Sequence, residues 1–363
     1  MTETAASKSF SRAYSAVRDG GVGIIDLTSR RGRIAVSGSD AAMFLNGLVT
    51  NDVKKLAVNT WMPAIFPTVQ GRVIALVRIF NLGDHFLIDT ESATYAVVLE
   101  LLSRFTLAGD FRVTDMTELT ACLSVQSRRA PEVVASVFGE GTPPAQLLPW
   151  ENGNISLVDF EGSVAKIVCA THTAEHGFDL FIEPAKITDL RQAFLDAGGV
   201  VVDDDTLEIL RIEAGVPRYG VDIDANTVVN ETGITEAISF TKGCYIGQEI
   251  IIRIKHRGHV AKKLTGIRFP TDSFDIEDTT VYSEDGQEAG RVTSWVISPH
   301  LGCTAAMAYM KFDYLKMLTP IQMQAGGRTI EGIVCADLPL VRGTWYELID
   351  NTPFPISTGS SGN

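Results

Sequence analysis

The feature that most constrains this chain is a change of pattern near residue 263, where mixed segments give way to short strand-like runs between turns. Apolar and β-branched residues gather in five such runs, at 264–269, 280–282, 290–297, 305–310 and 321–324. Short strands at this spacing are typical of a small β-barrel or sandwich. We therefore predict an all-β unit at the C-terminal side of a larger mixed region.

The region before residue 263 mixes strand and helix patterns. Strands are predicted at 23–27, 33–37, 64–67, 73–80, 86–88, 164–169 and 178–182, and helices at 42–49, 95–105, 130–137, 187–197 and 205–214. Ser39 or Asp40 is predicted to cap the first of these helices, and Asp205 or Thr206 the last. Helices lying on a sheet predict an α+β architecture for this region.

Composition narrows the class of protein. The chain has 363 residues and 45% hydrophobic content, enough for two or three domains with cores of their own. Neither a signal peptide nor an apolar run of about 18 residues is visible, so we expect a soluble protein. Five cysteines without a C-x-x-C pair favour a reducing cytoplasm, and a formal charge of −13 makes nucleic acid an unlikely partner.

The segment 241–249, T-K-G-C-Y-I-G-Q-E, places a thiol between glycines and beside a lysine. Lys242 and Arg253 could lower the pKa of the Cys244 thiol, since a neighbouring cation favours thiolate. Gly243 and Gly247 allow the backbone to bend tightly around a ligand. On chemistry alone, a small buried cysteine in a turn has more weight, because free cysteines usually serve packing.

Downstream of this segment lies a basic cluster on an otherwise acidic chain. It comprises Arg253, Lys255, His256, Arg257, His259, Lys262 and Lys263. A strand here would place Arg253, Lys255 and Arg257 on one side. A solvated strand face and an anion-binding wall remain equally open interpretations.

Upstream, the segment 210–217 predicts the end of a helix and carries Arg211 and Glu213. A carboxylate such as Glu213 can accept two parallel N–H bonds from a heterocycle with an amino-amide edge, such as a pterin. A surface ion pair of Arg211 with a neighbour is the alternative, and without further context it has more weight.

The string H-T-A-E-H at 172–176 matches the H-x-x-E-H pattern of zinc peptidases, which needs a helix to bring both imidazoles together. Here it lies between two predicted strands and is followed by Gly177. We therefore predict a hairpin turn in which His172 and His176 do not converge on a metal.

Together these residues resemble the YgfZ-type folate-binding proteins of the glycine cleavage T-protein (aminomethyltransferase) superfamily. The segment 242–249 matches all seven specified positions of the signature K-G-C-Y-x-G-Q-E, a chance match on the order of one in a million or less. Further similar segments lie at 23–27, 36–41, 48–52, 70–72, 173–179, 211–215, 290–294 and 298–299.

The resemblance implies a three-domain cloverleaf around a central folate channel. It places a discontinuous α+β folate-binding domain at 1–55 and 140–262, a sheet-plus-helix domain at 56–139, a β-barrel at 263–345 and a tail at 346–363. Tetrahydrofolate, or a one-carbon-substituted folate, is the implied cofactor.

The resemblance also implies roles for eight residues. Cys244 and Lys242 are the predicted catalytic pair, and Glu213 is the predicted ligand of the pterin ring. The remaining predicted cofactor-binding residues are Arg211, Tyr245, Gln248, Glu249 and Arg253. Lys242 and the basic cluster are expected near the anionic glutamate tail of the folate.

One segment departs from the T-protein pattern. T-proteins have a G-x-x-x-D-D stretch in the sheet domain, whereas this chain has Ala75 and Leu76 in place of the two carboxylates. Neither side chain can accept a proton or stabilise an iminium during C–N cleavage. The departure argues against aminomethyl transfer and favours the YgfZ branch.

The resulting hypothesis is a folate-binding accessory protein for iron–sulfur cluster assembly or repair, with Cys244 as a working thiol. Its implied partners are iron–sulfur assembly proteins or client enzymes. The main alternative is a folate-dependent aminomethyl- or methyltransferase whose acid–base group has moved to Asp84 or Asp89. A folate-binding module that acts on RNA through a partner is a more distant possibility.

Overall fold

The structure is a computed structural model that describes residues 5–104, 109–139, 153–270, 276, 278–335 and 338–341. Its architecture is two antiparallel-rich sheets with helices and a closed β-barrel. The predicted α+β fold with a C-terminal barrel is therefore confirmed. The predicted tail at 346–363 lies outside the described residues.

The first sheet has five antiparallel strands in the order β3-β4-β5-β2-β6. Its strands are β2 (Arg31–Ser37), β3 (Thr60–Pro67), β4 (Val73–Asn81), β5 (His85–Glu91) and β6 (Arg112–Asp115). Helices α2 (Ala41–Leu48) and α3 (Ser92–Ser103) cover one face. Strand alternation directs Ala75 into this covered core and Leu76 to the opposite face.

The second sheet has six strands in the order β11-β1-β7-β10-β9-β8. They are β1 (Gly23–Asp26), β7 (Ala121–Gln126), β8 (Ile155–Phe160), β9 (Ser163–Cys169), β10 (Gly177–Ile182) and β11 (Val200–Val201). Helices α4 (Ala130–Phe138) and α5 (Ile187–Asp196) pack on one face. The other face packs on helices α1 (Ala5–Arg18) and α6 (Asp204–Glu213) and on Trp61, Phe80 and Leu87 of the first sheet. An apolar core therefore joins the two sheets face to face.

The C-terminal unit is a closed six-stranded barrel in the order β12-β15-β14-β13-β16-β17. Its strands are β12 (Lys262–Phe269), β13 (Thr280–Ser283), β14 (Glu288–Ser298), β15 (Cys303–Lys311), β16 (Pro320–Ala325) and β17 (Arg328–Val334). The barrel interior is packed with aliphatic side chains and Phe269. All five strands predicted from the sequence are present, and β17 is one that the sequence reading missed.

The strand predicted across the basic cluster is wrong, because Gln248–Arg257 forms helix α7. Gly247 and Gly258, both with positive φ, bracket the helix. The run of three isoleucines at 250–252 favours a strand locally. In the helix, however, Ile251 alone among the helix residues is fully buried, and the basic side chains spread over the exposed surface.

Two other expectations about local structure can be compared with the structure. Helix α6 is capped by Asp203, whose side chain accepts the Thr206 N–H at 2.8 Å, rather than by Asp205 or Thr206. The predicted domain bounds stay a prediction. In the structure β2, from the predicted segment 1–55, pairs within the five-stranded sheet, and β7, from the predicted segment 56–139, pairs within the six-stranded sheet. Among the described residues, no helix is both long and apolar enough to span a membrane.

Candidate functional site

A cavity of about 200 Å³ lies between the two sheets. Strands β3 and β4 give it an apolar wall that includes Trp61, Leu76 and Val77. The polar lining comes from Arg31, Arg78, Glu91, His172 and Thr171. We call this the central cavity.

A second cavity, of about 390 Å³, adjoins the central cavity. The two have five lining residues in common: Arg31, Glu91, His172, Val216 and Pro217. The second cavity adds Arg30, Arg218 and Tyr219, among others, and is the more polar of the two. Together they can hold an elongated ligand with a flat apolar end and a polar end.

A buried ion network lies behind the polar wall. Arg31 Nε and Arg78 Nε donate to Asp89 Oδ2 at 2.6 and 2.7 Å, and Arg78 Nη1 donates to Asp179 Oδ2 at 2.5 Å. His172 Nε2 lies 3.0 Å from Asp179 Oδ1. Burial would raise the pKa of Asp179, but His172 and Arg78 outweigh it and hold that pKa far below its usual range. The network fixes the guanidinium and imidazole groups that reach the cavity.

Glu91 lines both cavities at the end of β5 and differs from the other acids of the region. Its carboxylate accepts the backbone N–H of Tyr219 at 3.1 Å. Burial raises the pKa of Glu91, and nearby Arg31 only partly opposes the rise. A partly buried carboxyl group with a raised pKa beside a cavity is suited to proton transfer.

The positions of the missing T-protein carboxylates are now located. Ala75 is fully buried in the core beneath α2 and α3, whereas Leu76 faces the central cavity. The cavity wall is therefore apolar where the T-protein pattern has an acid. Glu91 reaches the same cavity from the neighbouring strand β5.

The two acids proposed from the sequence as relocated acid–base groups lie elsewhere. Asp84 is exposed in the β4–β5 turn and pairs with His85. Asp89 is fully buried and bound by Arg31 and Arg78. Neither lines the two cavities, so their assignment is less favourable than that of Glu91.

The signature segment is close to helix α2 rather than to either cavity. Lys242 Nζ donates to three backbone carbonyls at the end of α2, those of Asn46, Val49 and Asn51, at 2.7, 2.9 and 2.7 Å. Burial lowers the pKa of Lys242 to about 8. Because its three donors are engaged, Lys242 has none left for a folate tail.

The other predicted residues of this segment have different surroundings. Cys244 is exposed, whereas the ring of Tyr245 is buried in an apolar cluster. Burial raises the pKa of Tyr245 to about 12. Gln248, Glu249 and Arg253 line a shallow depression on α7. These residues are close in sequence, but the structure does not bring them into the central cavity.

Glu213 and Arg211 belong to separate buried networks. Glu213 is fully buried and accepts bonds from Tyr14 Oη at 2.7 Å, from Arg18 Nη2 at 2.7 Å and from Ser298 Oγ at 2.5 Å. This geometry leaves no free edge for a pterin and disfavours the predicted role of Glu213. Arg211 lines the second cavity but is held by Glu208 and Asp222.

The string at 172–176 connects β9 to β10, as predicted. His172 points to Asp179 rather than to a shared metal position with His176. Within the described residues, no group of three or more histidine, cysteine or acidic side chains is arranged to hold a metal ion.

Sequence reasoning missed the four ionisable residues of the central cavity, namely Arg31, Arg78, Glu91 and His172. One signal was present: Arg78 interrupts the otherwise apolar strand 73–80, and a charged residue in such a strand needs a buried partner. One partner, Asp89, lies opposite Arg78 on the adjacent strand β5, whereas Arg78 and Asp179 lie on strands about a hundred positions apart. No local pattern connects Arg78 with Asp179.

The fold defines a class of protein that has two sheets, a barrel and a central cavity. Comparison with known protein families identifies the family. The family described as "GCVT N-terminal domain" matches residues 2–242, and "Glycine cleavage T-protein C-terminal barrel domain" matches residues 262–341. The chain therefore belongs to the glycine cleavage T-protein family.

Individual relatives agree with this family. A putative chloroplastic transferase of Arabidopsis thaliana is 24% identical over 318 residues, 87% of this chain and 71% of that protein. An aminomethyltransferase of Rubrobacter xylanophilus is 28% identical over 297 residues, 79% of this chain and 76% of that protein. The crystal structure of aminomethyltransferase T from Bartonella henselae superposes with a TM-score of 0.81 at 20% identity, covering 92% and 90% of the two chains, and so has the same fold.

Proposed function

We propose that the chain is a folate-dependent one-carbon transferase that moves an aminomethyl or methyl group. The observation that carries the proposal is Glu91, a carboxyl group with a raised pKa in the central cavity of a T-protein fold. In the central cavity, Glu91 supplies the acid–base group that Ala75 and Leu76 cannot provide. The aminomethyltransferases among the relatives support the same reaction class.

The residues of the cavity fit a reduced folate. Trp61, Leu76 and Val77 offer apolar surface to a flat bicyclic ring, while Arg31 and His172 offer hydrogen bonds at its edge. In the second cavity Arg30 pairs with Asp204 and Arg218 pairs with Glu208 through one guanidinium nitrogen each, and the remaining donors of the two arginines suit the carboxylates of the glutamate tail. The folate would supply the nitrogen that accepts the one-carbon unit.

Glu91 is the group we expect to move a proton. Its oxygens are oriented by the Tyr219 N–H, and its raised pKa keeps a larger protonated fraction near neutral pH than an exposed glutamate has. Arg78, fixed by Asp89 and Asp179, holds a positive charge at the same wall. A donor's leaving amine can thus be protonated within a site whose charges are already in place.

The test compares wild-type protein with Glu91→Gln. We expect Gln to retain tetrahydrofolate affinity and to lower turnover of an aminomethyl or methyl donor by about 10²–10⁴-fold, the usual contribution of general acid–base catalysis. Asp84→Asn, an exposed acid outside the cavity, is the matched control and should keep full turnover. Equal turnover of wild type and Glu91→Gln would exclude this role.

A second candidate function, assistance in iron–sulfur cluster assembly or repair, is favoured by one specific observation. Among the five cysteines, Cys244 is the exposed one, and it lies outside both cavities. A partner protein could reach this thiol without entering the folate site. A Cys244→Ser variant separates the two functions. This candidate predicts that the variant no longer supports iron–sulfur enzymes in cells, whereas the transferase predicts that the variant retains turnover.

A further inference from the structure

A further cavity, of about 410 Å³, lies against the C-terminal barrel, at the end where β12 finishes and β15 and β16 begin. It has no lining residue in common with the central cavity or the second cavity. Its volume is within the range of about 300–1,000 Å³ that small-molecule sites occupy. We call it the barrel-end cavity.

One side of the barrel-end cavity is aliphatic. Leu301, Ile321 and Ile333 line it, together with Pro270 and Pro320. Ile321 is buried, whereas Ile333 is partly exposed at the cavity surface. This side can accept a branched or straight hydrocarbon side chain of modest length.

The polar side contains a buried donor that the protein does not satisfy. Arg268 lines the cavity, and its Nη2 donates to the Leu340 carbonyl at 2.6 Å. Its Nε is shielded from solvent and has no hydrogen-bond partner among the residues that the structure describes. Because an unpaired buried donor on a charged group costs free energy, this guanidinium is suited to an acceptor on a bound molecule.

The exposed rim of the same cavity is acidic. Glu284 and Glu331 both line it and are exposed, and neither forms an ion pair within the described part of the chain. A simple anion would gain from Arg268 but be repelled by these carboxylates. A molecule with a carboxylate at one end of its polar group and an ammonium at the other matches both.

We propose that the barrel-end cavity binds a free apolar α-amino acid. The carboxylate bonds the Arg268 guanidinium, the ammonium lies towards Glu284 and Glu331, and the side chain packs on Leu301, Ile321 and Ile333. This site is additional to the folate site and does not depend on the proposed transferase activity.

The test uses L-leucine and two analogues that each lack one charge, 4-methylpentanoate and 3-methylbutylamine. Isothermal titration calorimetry on the full chain should show saturable leucine binding, with each analogue weaker by at least about tenfold, equivalent to about 1.4 kcal/mol. Absence of leucine binding up to about 10 mM, or equal affinity for an analogue, would overturn the proposal.

Two variants assign the binding to this cavity. Arg268→Gln should weaken leucine and 4-methylpentanoate alike. Because a barrel residue can affect folding, the double variant Glu284→Gln/Glu331→Gln, at exposed positions, provides a second test. It should weaken leucine by about tenfold and leave 4-methylpentanoate no weaker. Unchanged leucine affinity in the double variant would contradict the assignment of the ammonium.

Cys303 offers an independent readout because it lines the barrel-end cavity. Leucine should slow alkylation of Cys303, measured by peptide mass spectrometry, while exposed Cys244 in the same sample reacts at an unchanged rate. Equal rates at Cys303 with and without saturating leucine would place the bound leucine elsewhere.

Discussion

Lys242 holds the C-terminal end of helix α2 through bonds to three backbone carbonyls. The carbonyls of Asn46 and Val49 have no further residue of the helix to bond, so a cation there satisfies them and complements the negative end of the helix dipole. The lysine of the signature segment therefore has a structural task in this chain. A role in catalysis for Lys242 stays a prediction.

Replacement of Lys242 by methionine should destabilise the protein by about 1–3 kcal/mol, because buried carbonyls lose their donor. The free energy of unfolding in urea measures this change. Lys54→Met, at an exposed lysine nearby, should change stability by less than about 0.5 kcal/mol.

Wild type and Lys242→Met also test the lowered pKa of Lys242. Its folded value of about 8 lies below its ordinary value of 10.5, so between these pH values the unfolded chain binds more protons than the folded one. The contribution of Lys242 to stability should therefore rise with pH across this window. A stability difference between wild type and Lys242→Met that does not increase between about pH 8 and about pH 10 would contradict the lowered pKa.

For single residues, the sequence showed which residue types are present or missing. It did not show which residues contact one another in the fold. The sequence showed that residues 75 and 76 lack the carboxylates of the T-protein pattern, and in the structure Leu76 faces the central cavity. The sequence did not reveal the role of Glu91, because its burial comes from Tyr219 and residues 216–217, which are more than a hundred positions away. Burial of a side chain by remote segments has no local signal.

Helix α7 is the element whose prediction failed, and its ends explain its position. At Gly247 the backbone has φ +77°, and a Cβ atom built there would lie 2.4 Å from the Thr68 carbonyl oxygen. At Gly258 φ is +86°, but no atom lies within 4 Å of such a Cβ. Gly247 thus sets the close approach of α7 to the β3–β4 turn, while Gly258 only ends the helix.

The two glycines form a matched pair for mutation. Gly258→Ala should cost about 1 kcal/mol, the price of a left-handed conformation for a residue with a Cβ. Gly247→Ala should cost about 3 kcal/mol, since overpacking against a backbone oxygen adds to that strain. Thermal unfolding of both variants measures the difference, and equal losses would mean that the contact with Thr68 is not important.

Elements with a regular pattern and clear turns were predictable. Three of the five connections between barrel strands contain glycine, at 284–287, 299–302 and 326–327, and each predicted strand was found. The prediction for the segment of α7 failed because three isoleucines favour a strand on local propensity. The flanking glycines and the packing of Ile251 against Gly71 instead favour a helix. Tertiary contact overrides propensity in such short segments.

On the scale of the whole molecule, Glu213 joins three separate parts. Its carboxylate accepts bonds from Tyr14 and Arg18 of α1 and from Ser298 of the barrel strand β14, while Glu213 itself ends α6. Arg18 also bonds Glu175 in the β9–β10 connection. The predicted pterin ligand is thus the centre of a buried junction between the barrel and the sheets.

Glu213→Gln should therefore lower stability by roughly 3 kcal/mol, because it leaves the buried Arg18 with one carboxylate partner instead of two. Tetrahydrofolate affinity of the folded protein should stay unchanged. Glu208→Gln, which alters a partly exposed ion pair, is the control and should cost less than about 1 kcal/mol. Normal stability with lost folate affinity would restore the pterin-binding role of Glu213.

A cavity-filling substitution tests directly whether a reduced folate binds in the central cavity. Equilibrium binding of tetrahydrofolate should be measured for wild type, for Leu76→Trp, which fills the cavity, and for Leu119→Trp at an exposed position outside it. We expect wild type and Leu119→Trp to bind alike, and Leu76→Trp, while folded, to bind at least about a hundredfold more weakly. Undiminished affinity in Leu76→Trp would contradict folate binding in the central cavity.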